Sequence, residues 1–88
     1  MRYNVTVTNK ATRQIVRLQP QMQVRVVQGI NNLADSTTWG DVRKLVNHQY
    51  DYRLRVGDYR VLFNLLDGNV EIGNIEVEEV KKRDEHTY

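Results

Sequence analysis

The sequence predicts an α+β domain in the order β-α-α-β-β-β, a two-helix hairpin packed on one face of a four-stranded, mostly antiparallel sheet. Three observations carry this reading. Residues 2–8, RYNVTVT, alternate, with Tyr3, Val5 and Val7 on one side. Residues 11–34 place apolar side chains at helical spacing, interrupted once at Pro20. Residues 50–66 form two alternating runs about Gly57-Asp58, a two-residue hairpin loop with Gly at the first central position of a type II′ turn.

Asn9 can cap a first helix running to about Gln19, with Ala11, Ile15 and Leu18 as its apolar stripe. Pro20 suits the first turn of a second helix, whose buried face is Met22, Val26, Val27, Ile30, Leu33 and Ala34. DSTTWGD, residues 35–41, has loop chemistry. VRKLVNHQ, residues 42–49, fits either extended chain or a short turn. After the hairpin, Asp67-Gly68-Asn69 signals another turn, and Val70 and Ile72 begin a last strand. Gly73-Asn74 interrupts its alternation and Ile75 and Val77 resume on the shifted phase, which places a bulge or bend there. No linker or repeat divides the chain, so residues 1–88 read as a single domain.

Composition limits the function. Hydrophobic residues make up 40% and charged residues 27% of the chain, as in ordinary soluble domains. There is no cysteine, hence no disulfide framework or thiolate metal site. His48 stands apart from other metal-type ligands at useful spacing, so neither metal nor cofactor is expected. No apolar run approaches the roughly 20 residues of a membrane span, and the N-terminus reads as a strand rather than a signal peptide. A cytoplasmic protein with no membrane partner is expected. The formal charge is +2 and the pI about 9.1. Residues 43–60 hold Arg43, Lys44, Arg53, Arg55 and Arg60 against Asp51 and Asp58, whereas residues 67–79 are acidic without a basic residue. A basic concentration on one element is the footprint of a polyanion.

The hairpin sharpens that footprint. Its loop sets Arg55 opposite Arg60, Leu54 opposite Val61 and Tyr52 opposite Phe63. One face is apolar; the other carries Arg53, Arg55 and Arg60, on the side away from the helices. Like charges directly opposite cost roughly 0.2–1 kcal/mol per pair. A fold that keeps such a pair has a use for it, and the use that fits is an anion site.

YRLRVGDYRVLF followed by KKRDEHTY resembles the RelE/ParE superfamily of bacterial toxins, on the RelE side. The resemblance covers most of the chain. It implies the toxin of a type II toxin–antitoxin system, a ribosome-dependent endoribonuclease that cuts mRNA in the decoding site and so inhibits translation. It also implies a cognate antitoxin, for example in a toxin–antitoxin heterotetramer, with the ribosome and mRNA as further partners. Carried over residue by residue, the catalytic positions are Arg53, Arg55, Arg60, Arg83 and Tyr88, with His86 as a further proton carrier. Lys82 is a second register for the C-terminal basic residue. With Lys44 and Arg43 it belongs to the expected RNA-binding set.

The expected chemistry is metal-independent attack of the RNA 2′-OH on the adjacent phosphate. Arginine forks bind the phosphoryl oxygens, which gain negative charge in the transition state. Well-known members have lysine where this chain has Arg53 and Arg55, and an arginine does not release its proton at working pH. These positions therefore stabilise charge, and the base lies elsewhere, at Tyr88 or His86. Two alternatives stay open: a non-enzymatic RNA- or ribosome-binding module, and a ParE-like toxin that inhibits gyrase.

Overall fold

The computed structural model describes residues 1–83 of the 88-residue chain. The elements are β1 (Arg2–Val7), α1 (Asn9–Val16), α2 (Pro20–Asn32), a 3₁₀ turn at Ser36–Thr38, β2 (Asp41–Lys44), β3 (Tyr52–Val56), β4 (Tyr59–Leu66) and β5 (Ile72–Lys82). Both helices begin where the sequence offers a start. The hydroxyl of Thr8, rather than the side chain of Asn9, caps α1 and accepts from the Ala11 N–H at 3.1 Å. Pro20 takes the first turn of α2, where its missing N–H costs nothing. The first helix ends earlier than the apolar stripe suggested, with Arg17 at its C-cap.

The sheet has five strands in the order β1-β5-β4-β3-β2. That corrects the expected four. The added strand is β2, from the segment that fitted either extended chain or a turn; it pairs antiparallel with β3, Val42 opposite Leu54. Four residues with one inward apolar side chain are too few to show a period, so pairing decides the conformation. The sheet is also mixed: β1 lies parallel to β5, Tyr3 beside Gly73 and Val5 beside Ile75, while the other pairs are antiparallel. The alternation of a strand does not encode which neighbour it takes.

The hairpin register agrees with the sequence residue for residue, Arg55 opposite Arg60 and Tyr52 opposite Phe63. Leu54, Val61, Phe63, Ile75, Val77 and Val80 of the sheet pack against Ala11, Val26, Ile30 and Leu33 of the helical layer. Trp39 closes the core at the end of the loop after α2. Its Nε1–H donates to the Leu33 carbonyl at 2.8 Å, and its ring lies 5.4 Å from Tyr3 and 5.9 Å from Phe63 between centroids. Tyr52 and Phe63, directly opposite in register, stack at 5.6 Å. At Gly29 a Cβ would stand 3.1 Å from Leu54 Cδ2, so glycine lets α2 settle onto β3.

The last strand departs from expectation in an instructive way. Val70 lies in the loop before it, exposed, and the strand runs unbroken through Gly73-Asn74. The irregularity falls later. Leu62 faces Glu79 while Phe63 faces Val77, so Glu78 is the extra residue of a β-bulge. The sequence signal is the spacing of Val77 and Val80: both are buried, three residues apart.

Gly57 has φ +56°, as a type II′ turn requires, and a Cβ there would meet Met22 Cε at 3.1 Å and Arg25 Nη1 at 3.3 Å. Gly57→Ala is expected to destabilise the fold by about 1–2 kcal/mol, read as a lower urea midpoint with an unchanged m-value. An unaltered midpoint would mean that the turn relaxes without strain.

Candidate functional site

On the sheet face away from the helices, the register lines up side chains in rows across the strands. One row is Asp41, Arg55, Arg60 and Lys81, contributed by β2, β3, β4 and β5. The next is Arg43, Arg53, Leu62 and Glu79. Directly opposite side chains on one face stand about 4.5–5.5 Å apart at Cβ. Arg55, Arg60 and Lys81 are thus three neighbouring cations on three adjacent strands.

Their surroundings differ. Arg55 is exposed and is in no salt bridge among the described residues. Arg60, between the other two, is only 6% exposed. Arg53 is tied to the edge strand: its Nη1 donates to the Asp41 carbonyl oxygen at 3.0 Å and lies 3.4 Å from Asp41 Oδ1. That partner fixes the guanidinium beside the row and neutralises part of its charge.

This face is also less bare than the sequence implied. Leu62 points away from the helices, yet it is 1% exposed. The segment before β3 turns back along the sheet, with Asn47 at positive φ. The Asp51 N–H donates to Asn64 Oδ1 at 2.9 Å and the Leu65 N–H to Asp51 Oδ2 at 3.2 Å. Tyr50 is buried, and its hydroxyl donates to Glu79 Oε2 at 3.1 Å, so it ties the start of β3 to β5 across the intervening strand. Burial first, then the bond to Glu79 and the nearby acidic charge, push the Tyr50 hydroxyl above its ordinary value. It holds its proton at neutral pH and does not serve as a base. Among the described residues, no three His, Cys, Asp or Glu side chains are grouped to hold a metal ion.

No family model and no curated protein sequence matches the chain. Solved structures do. The archaeal RelE–RelB complex from Pyrococcus horikoshii OT3 aligns at TM-score 0.75 and 26% identity, over 97% of this chain and 99% of that one. The toxin–antitoxin complex RelBE2 from Mycobacterium tuberculosis aligns at TM-score 0.72 and 22% identity, over 94% of this chain and 100% of that one. The RelB–RelE antitoxin–toxin complex from Methanococcus jannaschii aligns at 0.65 and 18%, over 88% of each chain.

The chain has the RelE-type toxin fold.

Within that fold the expected site residues separate. Arg53, Arg55, Arg60 and Arg43 share the face away from the helices. Lys44 does not: it lies opposite Tyr52, on the helix-facing side. Lys82 likewise lies opposite Tyr59 and on the helix side. Arg83 follows β5 directly, with its backbone N–H bonded to the Asp58 carbonyl oxygen at 2.6 Å. Tyr88 and His86 lie outside the described residues. Sequence reasoning missed Lys81. Had Val80 been read as buried, alternation would have turned Lys81 outward beside Arg60.

Beyond Glu79 the same face becomes acidic. The Glu78 carboxyl is held above its ordinary value near 4.5, first by a hydrogen bond shared with Glu76, then by burial and the Glu76 charge, with Lys10 pulling the other way. The stabilisation from that shared proton is present below the unfolded value and is lost as pH rises through the higher folded value. Glu78→Gln keeps a donor toward Glu76 at every pH. Its stability relative to the parent chain is expected to rise between about pH 4 and pH 7, measured by urea unfolding at both. A difference independent of pH would show that the two carboxyls do not share a proton.

Proposed function

We propose that the chain is the toxin of a toxin–antitoxin pair and an endoribonuclease that cuts mRNA on the ribosome. The observation that carries this reading is the row Arg55, Arg60 and Lys81 across three adjacent strands. Cations so arranged on adjacent strands concentrate positive charge on one strip of the face. A phosphodiester passing over the row receives donors from both sides. The likeness to RelE chains that were solved together with RelB supports a toxin role and a cognate antitoxin as partner.

The reaction is attack of a 2′-oxygen on the neighbouring phosphorus. The P–O5′ bond breaks, leaving a 2′,3′-cyclic phosphate and a 5′-hydroxyl. The 2′-OH loses a proton and the leaving 5′-oxygen gains one. Arg55, Arg60 and Lys81 neutralise the charge that builds on the non-bridging oxygens, and Arg53, held by Asp41, borders them. A fixed donor at such a position contributes about 3–4 kcal/mol to lowering the barrier. Neither arginine nor the raised Tyr50 accepts the 2′-proton, and the resemblance to RelE-type toxins implies Tyr88 or His86 as the proton carriers. The ribosome supplies in-line geometry to a face that itself supplies mainly charge. Arginine at positions 53 and 55, which holds charge but does not move protons, favours, as a second reading, a module that binds RNA on the ribosome without cutting it.

Primer extension on mRNA from cells briefly expressing the chain separates the two. Cleavage ends within translated messages are expected, with far slower cutting of the same RNA free in solution. Arg55→Gln is the sharpest variant, because Arg55 is exposed whereas Arg60 is packed into the fold. It is expected to cut about 10²-fold more slowly while folding as stably as the parent or up to roughly 1 kcal/mol more so, since a like-charge pair is removed. Full activity in this variant, or equal rates on free and translated RNA, would overturn the proposal.

A further inference from the structure

A second concentration of charge lies on the other side of the sheet. Arg17 at the end of α1, Gln19 and Met22 at the start of α2, Asp58 and Tyr59 of the β3–β4 turn, and Lys82 enclose a cleft of about 450 Å³. That volume is within the roughly 300–1,000 Å³ usual for small-molecule sites. Met22 and Tyr59 pack against the core and form firm walls. Arg17 and Lys82 are in no salt bridge among the described residues. A Cβ on Gly57 would stand 3.3 Å from Arg25 Nη1, which places a further guanidinium against the same turn.

Asp58 restricts what such a cleft can hold. An inorganic anion would gain from Arg17 and Lys82 but would be repelled by this carboxylate, whose oxygens are hydrogen-bond acceptors. A ligand that satisfies all the walls carries both a phosphate and N–H donors on a flat ring. The thioether and the phenol offer the ring its apolar contact. We propose that the cleft is a nucleotide subsite, in which Arg17 and Lys82 bind the phosphate, Met22 and Tyr59 flank an unstacked base, and Asp58 accepts from the base's amino and ring N–H groups. It is separate from the arginine row, because Lys82 pairs with Tyr59 on the helix side whereas Lys81 pairs with Arg60 on the other. The nucleotide is either free or part of an RNA strand; only the second source rests on the proposed action on RNA.

The test is amide chemical-shift mapping on the full chain made by cell-free synthesis. Three probes are titrated: guanosine 5′-monophosphate, an uncleavable 2′-deoxy trinucleotide containing guanine, and inorganic phosphate. Saturable shifts are expected at Gln19, Asp58, Tyr59 and Lys82. The Arg17→Gln, Lys82→Gln double variant should weaken binding at least about tenfold. The Arg17→Lys, Lys82→Arg double variant should retain it, and Arg55→Gln should leave these shifts in place. A response to the monophosphate alone assigns a free nucleotide; a response to the trinucleotide alone, or to both, assigns a site that a strand can enter. The proposal is overturned if inorganic phosphate binds as tightly as the nucleotides, if the shifts fall only on the arginine face, or if the charge-removing variant binds like the parent. Loss of mRNA cleavage in primer extension would remove the proposed enzyme activity and leave the monophosphate result standing.

Discussion

The pairing of β4 with β5, with one extra residue at Glu78, is the constraint on which both faces of this sheet depend. Val77 and Val80 both reach the core because the bulge shifts the phase between them. Beyond it, Lys81 turns to the arginine face and Lys82 to the helix side. Without the bulge, strict alternation from Val77 would bury position 81 and turn Val80 outward. A bulge leaves one residue without a direct opposite and adds local twist. Burial of Val80 offsets that loss, at about 1.5–3 kcal/mol for a fully buried apolar side chain.

The second dependence is on the Gly57 turn. It fixes Arg55 opposite Arg60 and, through the same register, Tyr52 opposite Phe63. The aromatic pair and the Trp39 ring beside it hold the hairpin to the core. The like-charge pair on the other side is therefore carried by a scaffold that does not rely on it. Arg53 shows how the fold manages the remainder, since Asp41 on the edge strand takes up its charge. The arginine row keeps one exposed member, Arg55, and one buried member, Arg60.

The face away from the helices is electrostatically divided along β5. Lys81 lies at the end nearer the turn; Glu79, Glu78 and Glu76 follow toward the other end. Tyr50 and Lys10 both engage Glu79, so part of the acidic charge is already partnered. A polyanion lying on this face is drawn to the turn end and repelled from the rest. That division gives direction to an otherwise flat surface.

The sequence by itself determined the helices, the hairpin and its register, because these rest on local chemistry: a proline at a helix start, apolar residues at helical spacing, a glycine free to take positive φ. It thereby determined that Arg53, Arg55 and Arg60 share one face. Tertiary structure decided the rest. The parallel pairing of β1 with β5 and the fifth strand β2 depend on neighbours that alternation does not name. The bulge at Glu78 depends on which valines find the core, and it alone brought Lys81 to the arginine row and sent Lys82 to the cleft. The folding back of Tyr50 onto Glu79 depends on a loop whose backbone turns through positive φ at Asn47. Local preference sets what each segment becomes; only burial in a shared core sets which way the last charged residues of a strand point.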